Sequence, residues 1–273
     1  VFAKFMTTGF WGPLITGAVA TYASYRLIKW ILSEDGITDI TIYVDHAIRS
    51  APSKTQSRRY GWLYEPASIV GGYSHIYEQH LNNFELVFTH SRSFAEGKDN
   101  VVLVPPGFPS WIKDRKIHKK NKLISMISTN KQYCKEHAIR YKLAKNLEQH
   151  PVVDVFGRGI KEIEKKEDGL NDYAFSIVVE NDWSDLFYTE KLQDCFLTGT
   201  VPIYLGSKAV SEIFDEEGII FLDHHNPVLN LPEYTMELYE SKKDAIQNNF
   251  KLAKEKEMNI IKMTDLFLEE FIL

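Results

Sequence analysis

The chain has 273 residues, 44% of them hydrophobic and 25% charged, which fits two globular domains rather than a disordered chain or a coiled coil. A formal charge of −5 supplies no basic field for nucleic acid or an anionic membrane, so any phosphate contact has to be local. Two cysteines, Cys134 and Cys195, are too few for a disulfide framework and have no zinc-site partners at a helpful spacing, which leads us to expect a reducing, cytoplasmic setting.

The apolar stretch 10–23 is shorter than a membrane span and lacks the basic start and small-residue exit of a signal peptide, so neither is expected. Residues 1–6 read as a strand, and 14–32 have helical length, with Ser33, Asp35 and Gly36 as stop signals. Ile40, Ile42 and Val44 alternate as a second strand ending in Asp45, which predicts a βαβ unit and the parallel α/β class. No G-x-G-x-x-G accompanies it, and Asp45 reads as a loop residue rather than a ribose ligand. Beyond a turn-rich basic stretch comes Trp62-Leu63-Tyr64-Glu65-Pro66, then a helix over 73–80 and short strands over 86–89 and 101–104, closed by Pro105, Pro106 and Pro109. The run 113–122, with six lysines and arginines, reads as a solvated hinge.

A second α/β pattern follows. Strands are predicted over 123–127, 152–156, 175–179, 201–205 and 219–222, and helices over 136–147 and 190–197. From 241 onward the chain reads as helix, with Ile246, Phe250 and Ala253 on one face. The expected domains are 1–118 and 119–273, with the last helix a candidate to pack back on the first domain.

Segment 173–206 carries the chemistry. It reads strand, polar loop, helix, strand, and ligands of open parallel sheets bind outside the carboxyl ends of strands. That places Asn181, Tyr188, Thr189, Glu190 and Lys191 at the candidate site. A lysine in the first turn of a helix opposes the helix dipole at a cost of roughly a few tenths of a kcal/mol, and a bound phosphate reverses that sign. The alternative for Lys191 is an exposed side chain with a solvated head. Glu190 suits any helix N-terminus and carries no weight alone. Asp182, Asp185, His224 and His225 read as loop residues, so no metal site is expected. For Trp11, Trp111 and Trp183, packing is the first reading and stacking on a sugar or base the second.

Val179-Glu180-Asn181, Tyr188-Thr189-Glu190-Lys191-Leu192 and Gly199-Thr200-Val201-Pro202-Ile203-Tyr204-Leu205-Gly206 come in a distinctive order. Upstream stand Ser128-Thr129-Asn130, Arg140 and Val153-Asp154-Val155-Phe156-Gly157. The set spans 123–222 and resembles glycosyltransferase family 10, the fucosyltransferase family. The resemblance implies an α/β fold of GT-B type, two Rossmann-like domains facing a cleft, the second binding a guanosine diphosphate (GDP) sugar. It also implies that Arg140 and Lys191 neutralise the diphosphate while Asn181 and Glu190 contact the nucleotide-sugar, Glu190 through either ribose or the sugar. Where the family has a tyrosine three places before that glutamate, this chain has Phe187, and Tyr188 is the candidate to supply the missing hydroxyl. Glu65 is implied as general base, although it abuts Pro66 where the family has an intervening residue; a surface carboxylate before a turn proline is the alternative. The implied reaction is inverting transfer of a sugar, fucose first, from a GDP-sugar to a hydroxyl of a glycan acceptor, with no metal or other cofactor required. The rival readings are another nucleotide sugar on the same fold, or a non-catalytic nucleotide- or glycan-binding module.

Overall fold

The computed structural model describes residues 26–33, 36–53, 58–73, 75–106, 108–224 and 229–257. The strand expected over 1–6, most of the helix expected over 14–32, Trp11 and His225 lie outside them. The chain divides into two compact units, Val1–Pro105 and Pro106–Leu273.

The first unit holds a five-stranded sheet of β1 (Arg26–Ser33), β2 (Gly36–Val44), β3 (Arg58–Leu63), β4 (Leu86–Thr89) and β5 (Val101–Leu103), in that spatial order. β1 runs antiparallel to β2, starting from Ser33 opposite Gly36, and the other pairs are parallel. Residues 26–32, expected as the end of a helix, are therefore strand. Leu27, Ile28, Trp30 and Ile31 suit a strand as well as a helix, and β2 supplies the partner that a short local pattern cannot reveal. Of the helix expected over 73–80, only His75–Glu78 is α-helical, with a 3-10 turn at Leu81–Asn83 behind it. The core of this unit gathers Tyr43, Ile48, Leu63, Tyr77, Val87 and Phe94.

The second unit is an all-parallel sheet flanked by helices. Its elements are β6 (Lys122–Ile127), α1 (Lys135–Leu147), β7 (Val153–Phe156), β8 (Tyr173–Val179), α2 (Glu190–Thr198), β9 (Val201–Leu205), β10 (Ile220–Phe221), α3 (Met236–Ser241) and α4 (Lys243–Lys256). The spatial order is β10-β9-β8-β6-β7. All seven residues of β8 are buried, as a central parallel strand covered on both faces requires. Phe175, Ile177 and Val179 enter one core with Ile124, Ile203, Tyr234 and Tyr239. Val178 faces the other, with Leu192, Phe196, Tyr204 and Phe214. Gly199 ends α2 in the left-handed region at φ 70°, where glycine carries no Cβ penalty.

Residues 106–118, expected to close the first domain, are tied into the second unit. Ser110 Oγ donates to Asp194 Oδ1 (2.6 Å), Arg115 grips Glu257 with two hydrogen bonds (2.6 and 2.8 Å), and the His118 N–H reaches Thr198 O (3.2 Å). The basic run 113–122 is accordingly not a solvated hinge throughout. Lys120 is 7% exposed, and its Nζ is surrounded by the carbonyls of Leu170, Asn171 and Thr198 and by Thr200 Oγ1, at 2.8–3.2 Å. Among the described residues no helix is long and apolar enough to cross a membrane.

Candidate active site

The connections out of β6 and β8 leave in opposite directions: β6 leads to β7 on one side, β8 to β9 on the other. Such a reversal opens a crevice at the carboxyl ends of the two strands. A cavity of about 120 Å³ lies there, lined by Ser128 and Thr129 after β6, Val179 at the end of β8, and Arg140, Glu190 and Lys191. Three residues expected at the site from sequence thus meet at one place. The β6 exit depends on Gly157 after β7. Its φ of +122° and its approach to Ser128, whose carbonyl oxygen would sit 1.7 Å from an added Cβ, leave room for no side chain.

Arg140, on α1, is 5% exposed. One terminal nitrogen donates to Asn181 Oδ1 (2.9 Å) and Val179 O (3.3 Å), while its buried Nε has no hydrogen-bond partner among the described residues. Asn181 Oδ1 also takes a bond from His137 Nε2 (2.9 Å). Burial, aided by the Arg140 charge, lowers the His137 pKa to about 4, so the ring is neutral. With Nε2 donating, Nδ1 is free to accept the Tyr133 N–H at 3.2 Å. Asn181 therefore sits as the bracket that aims Arg140.

Glu180 is fully buried and accepts from the Thr189 N–H (2.9 Å), Thr189 Oγ1 (2.8 Å) and Lys191 Nζ (3.2 Å). These bonds pin the loop between β8 and α2. Lys191 Nζ also donates to Thr189 Oγ1 (2.8 Å). The side chain is thus folded inward, neither fully solvated nor aimed solely at the crevice.

Glu190 Oε1 accepts from Lys166 Nζ (3.1 Å), and the same ammonium donates to Asp194 Oδ2 (2.9 Å), one turn along α2. Burial works against the Glu190 charge, but Lys191 and Lys166 outweigh it and hold the carboxyl at about 2. Asp194 Oδ1 accepts Ser110 Oγ and the Trp111 N–H (2.9 Å). Lys166 and Asp194 line the same cavity, and sequence reasoning missed both. Lys166 stands among Lys161, Glu162, Glu164, Lys165, Glu167 and Asp168, where nothing local distinguishes a site cation from a solvated one.

Tyr188 is fully buried, with its ring edge-on to Phe214 at 5.4 Å, and it is absent from the cavity wall. The hydroxyl expected to replace the family tyrosine is thus held in the core; Phe187 is also fully buried, against Phe108 at 5.8 Å. Trp183 Nε1 donates to Glu180 O (3.3 Å) and its ring packs on His224 at 4.9 Å, whereas Trp111, expected to be packed away, is 66% exposed. Asp182 Oδ1 accepts the Ser184 N–H (2.9 Å), a local turn bond, and no metal-binding group of His, Cys, Asp and Glu occurs among the described residues.

Glu65 belongs to the first unit, just past β3, and is half-buried. Its N–H (3.1 Å) and that of Tyr64 (2.8 Å) both donate to Asp45 Oδ1, and its carbonyl accepts the Tyr73 hydroxyl (2.7 Å). Buried Trp62 packs edge-on to Tyr64 at 5.1 Å. Asp45 itself sits at φ +46°, and burial pushes its carboxyl up to about 7 against the two N–H bonds, with the Glu65 charge adding to the rise.

Two α/β units, the second with a cation-rich crevice at a switch point of its parallel sheet, make up an α/β fold of the GT-B type. Sucrose-phosphate synthase (tll1590) from Thermosynechococcus elongatus shares this fold, with a TM-score of 0.53, 9% identity, and coverage of 80% of this chain and 69% of that one. The chain belongs to glycosyltransferase family 10: residues 117–267 match the family model described as Glycosyltransferase family 10 (fucosyltransferase) C-term. A curated relative, 4-galactosyl-N-acetylglucosaminide 3-alpha-L-fucosyltransferase 9 of Cricetulus griseus, is 27% identical over 173 residues, 60% of this chain. That match spans 45% of the relative's length. A crystal structure of an alpha1,3-fucosyltransferase aligns with a TM-score of 0.47 and 17% identity over 71% of this chain and 65% of that one.

Proposed function

We propose that the chain transfers fucose from GDP-fucose to a hydroxyl of a glycan acceptor by direct displacement with inversion at the anomeric carbon. In this reading Glu65 removes the acceptor proton, and the GDP leaving group departs into the crevice at the ends of β6 and β8. Arg140 and Lys191 meet its growing charge, the role a metal ion fills in other transferases. Glu190, held ionised, contacts the ribose or the sugar, and Asn181 acts on the donor through Arg140 rather than directly.

The observation that carries this reading is the state of Arg140. Arg140 is 5% exposed, its buried Nε has no hydrogen bond among the described residues, and it lines a cavity at a parallel-sheet switch point. Buried polar groups are normally satisfied, and an anionic oxygen at that position would complete the set. The cavity is small compared with the several hundred Å³ of typical ligand pockets, so it fits the phosphate portion of the donor rather than the whole molecule.

Isothermal titration of GDP tests the reading. Arg140→Ala and Lys191→Ala should each weaken binding by roughly 1.5–3 kcal/mol, about tenfold or more, with folding retained. Wild-type affinity in both variants overturns the donor-site assignment.

A further inference from the structure

Lys166 lies outside every motif that identified the site, yet it lines the same cavity as Arg140 and Lys191. An ammonium has three donors. One goes to Glu190 Oε1 (3.1 Å) and one to Asp194 Oδ2 (2.9 Å), and no third hydrogen bond is made among the described residues. The Trp111 ring centroid is 5.2 Å away, a weaker partner than a charged oxygen. Asp194 is almost fully buried and is itself braced by Ser110 Oγ and the Trp111 N–H, so the lysine is anchored rather than free to swing into solvent. Lys191 shows the same arrangement, with two N–H bonds spent on Glu180 and Thr189. Arg140, Lys166 and Lys191 therefore each bring unspent N–H capacity to one small cavity, and their charges are balanced internally by Glu180, Glu190 and Asp194. That balance lets the cluster persist without an anion while leaving donors for one.

We propose that Lys166 is a third cation of the donor site, which donates to an anionic oxygen of the nucleotide diphosphate while its other two N–H groups hold Glu190 and Asp194. This deepens the reading given above and rests on it. The same lysine then has a second effect: it is one of two cations that keep Glu190 ionised, so its removal changes how Glu190 titrates as well as how tightly the anion is held.

The test is calorimetric titration of GDP into the full chain and its variants across pH. Lys166→Met should weaken GDP binding by about tenfold to hundredfold. It should also move the acid limb of the binding profile to higher pH, because Glu190 loses one of its two cations. Lys166→Arg, which keeps the charge and the donors, should restore most of the affinity and return the limb toward its wild-type position. Because Lys166→Met strands a buried Asp194 and so threatens folding, the double variant Lys166→Met/Asp194→Asn is measured alongside it, with the same expected loss. Folded variants that bind GDP at wild-type affinity with an unmoved acid limb overturn the proposal. The two readings separate cleanly. If the wild type ignores GDP, or if Arg140→Ala and Lys191→Ala bind it normally, the donor site itself is wrong. If those two lose affinity and the Lys166 variants do not, only the role of Lys166 falls.

Discussion

Asp45 combines a left-handed backbone with a carboxyl whose first oxygen is fully engaged by two N–H groups. Non-glycine residues at positive φ are uncommon, with Asn and Asp the best tolerated. The result is a fixed loop that carries Glu65, so the residue read from sequence as an ordinary loop position is the support of the candidate base. Its pKa, raised from 3.8 to about 7, has a thermodynamic sign. Between those values the native state holds a proton that the unfolded chain has released, so this group makes stability fall as pH rises through that window. Asp45→Asn is permanently neutral, keeps the Oδ1 acceptor and tolerates the same φ. The variant should lose less stability than wild type between pH 4 and 7 and be the more stable protein above it. Parallel Tm–pH curves for the two would contradict this. At this scale a helix start beside a strand end makes the placement of Glu190 and Lys191 legible, whereas Arg140, in the middle of α1, is singled out only by the family resemblance. The sequence left Lys166, Asp194 and His137 invisible, since each gains its role from a partner 24 to 44 positions away or from a strut such as Ser110, 84 positions distant.

The elements of the second unit follow their local patterns closely. β9 occupies 201–205 as expected, and α1, β8 and α2 differ from expectation by one or two residues at an end, because apolar strand runs and capped helices are locally encoded. The hairpin of β1 and β2 was not legible, since its stability comes from pairing and not from composition. Lys120 shows the same limit for charge. In a basic run it reads as solvated, yet it ties together the end of α2, the start of β9 and the turn before β8. Burial lowers its pKa to about 7, while four oxygens around one ammonium favour the charged form. Lys120→Met removes every one of these bonds; Thr198 O keeps the His118 N–H, and Leu170 O keeps Thr200 Oγ1 and the Tyr173 N–H, so the cost is that of the lost charge-assisted bonds, about 1.5–3 kcal/mol each before the remaining partners compensate. Denaturant unfolding should show a loss of about 3 kcal/mol. A change within about 0.5 kcal/mol, the usual effect of a surface substitution, would return Lys120 to the solvated class.

Across the whole molecule the proposed chemistry divides between the units. The donor cluster is built entirely from the second, Pro106–Leu273, and the candidate base from the first, Val1–Pro105. A change in one unit should therefore move one kinetic quantity and leave the other in place. Glu65→Gln keeps the shape and the backbone bonds to Asp45 and Tyr73 but cannot accept the acceptor's proton. Turnover should fall by about 10²–10⁴, the worth of a positioned general base, because proton removal matters only in the transition state. GDP affinity should stay at the wild-type value, since no atom of Glu65 is needed to hold the nucleotide. Arg140→Ala should behave in the opposite sense, with affinity lost first. A purely structural Glu65 gives a different pattern, in which Tm, donor affinity and rate decline together. Near-wild-type kcat in Glu65→Gln would move the base to another carboxylate, and Glu85, whose side chain already accepts the Tyr60 hydroxyl at 3.1 Å, and Glu78, paired with Lys98 at 3.4 Å, are the next to substitute.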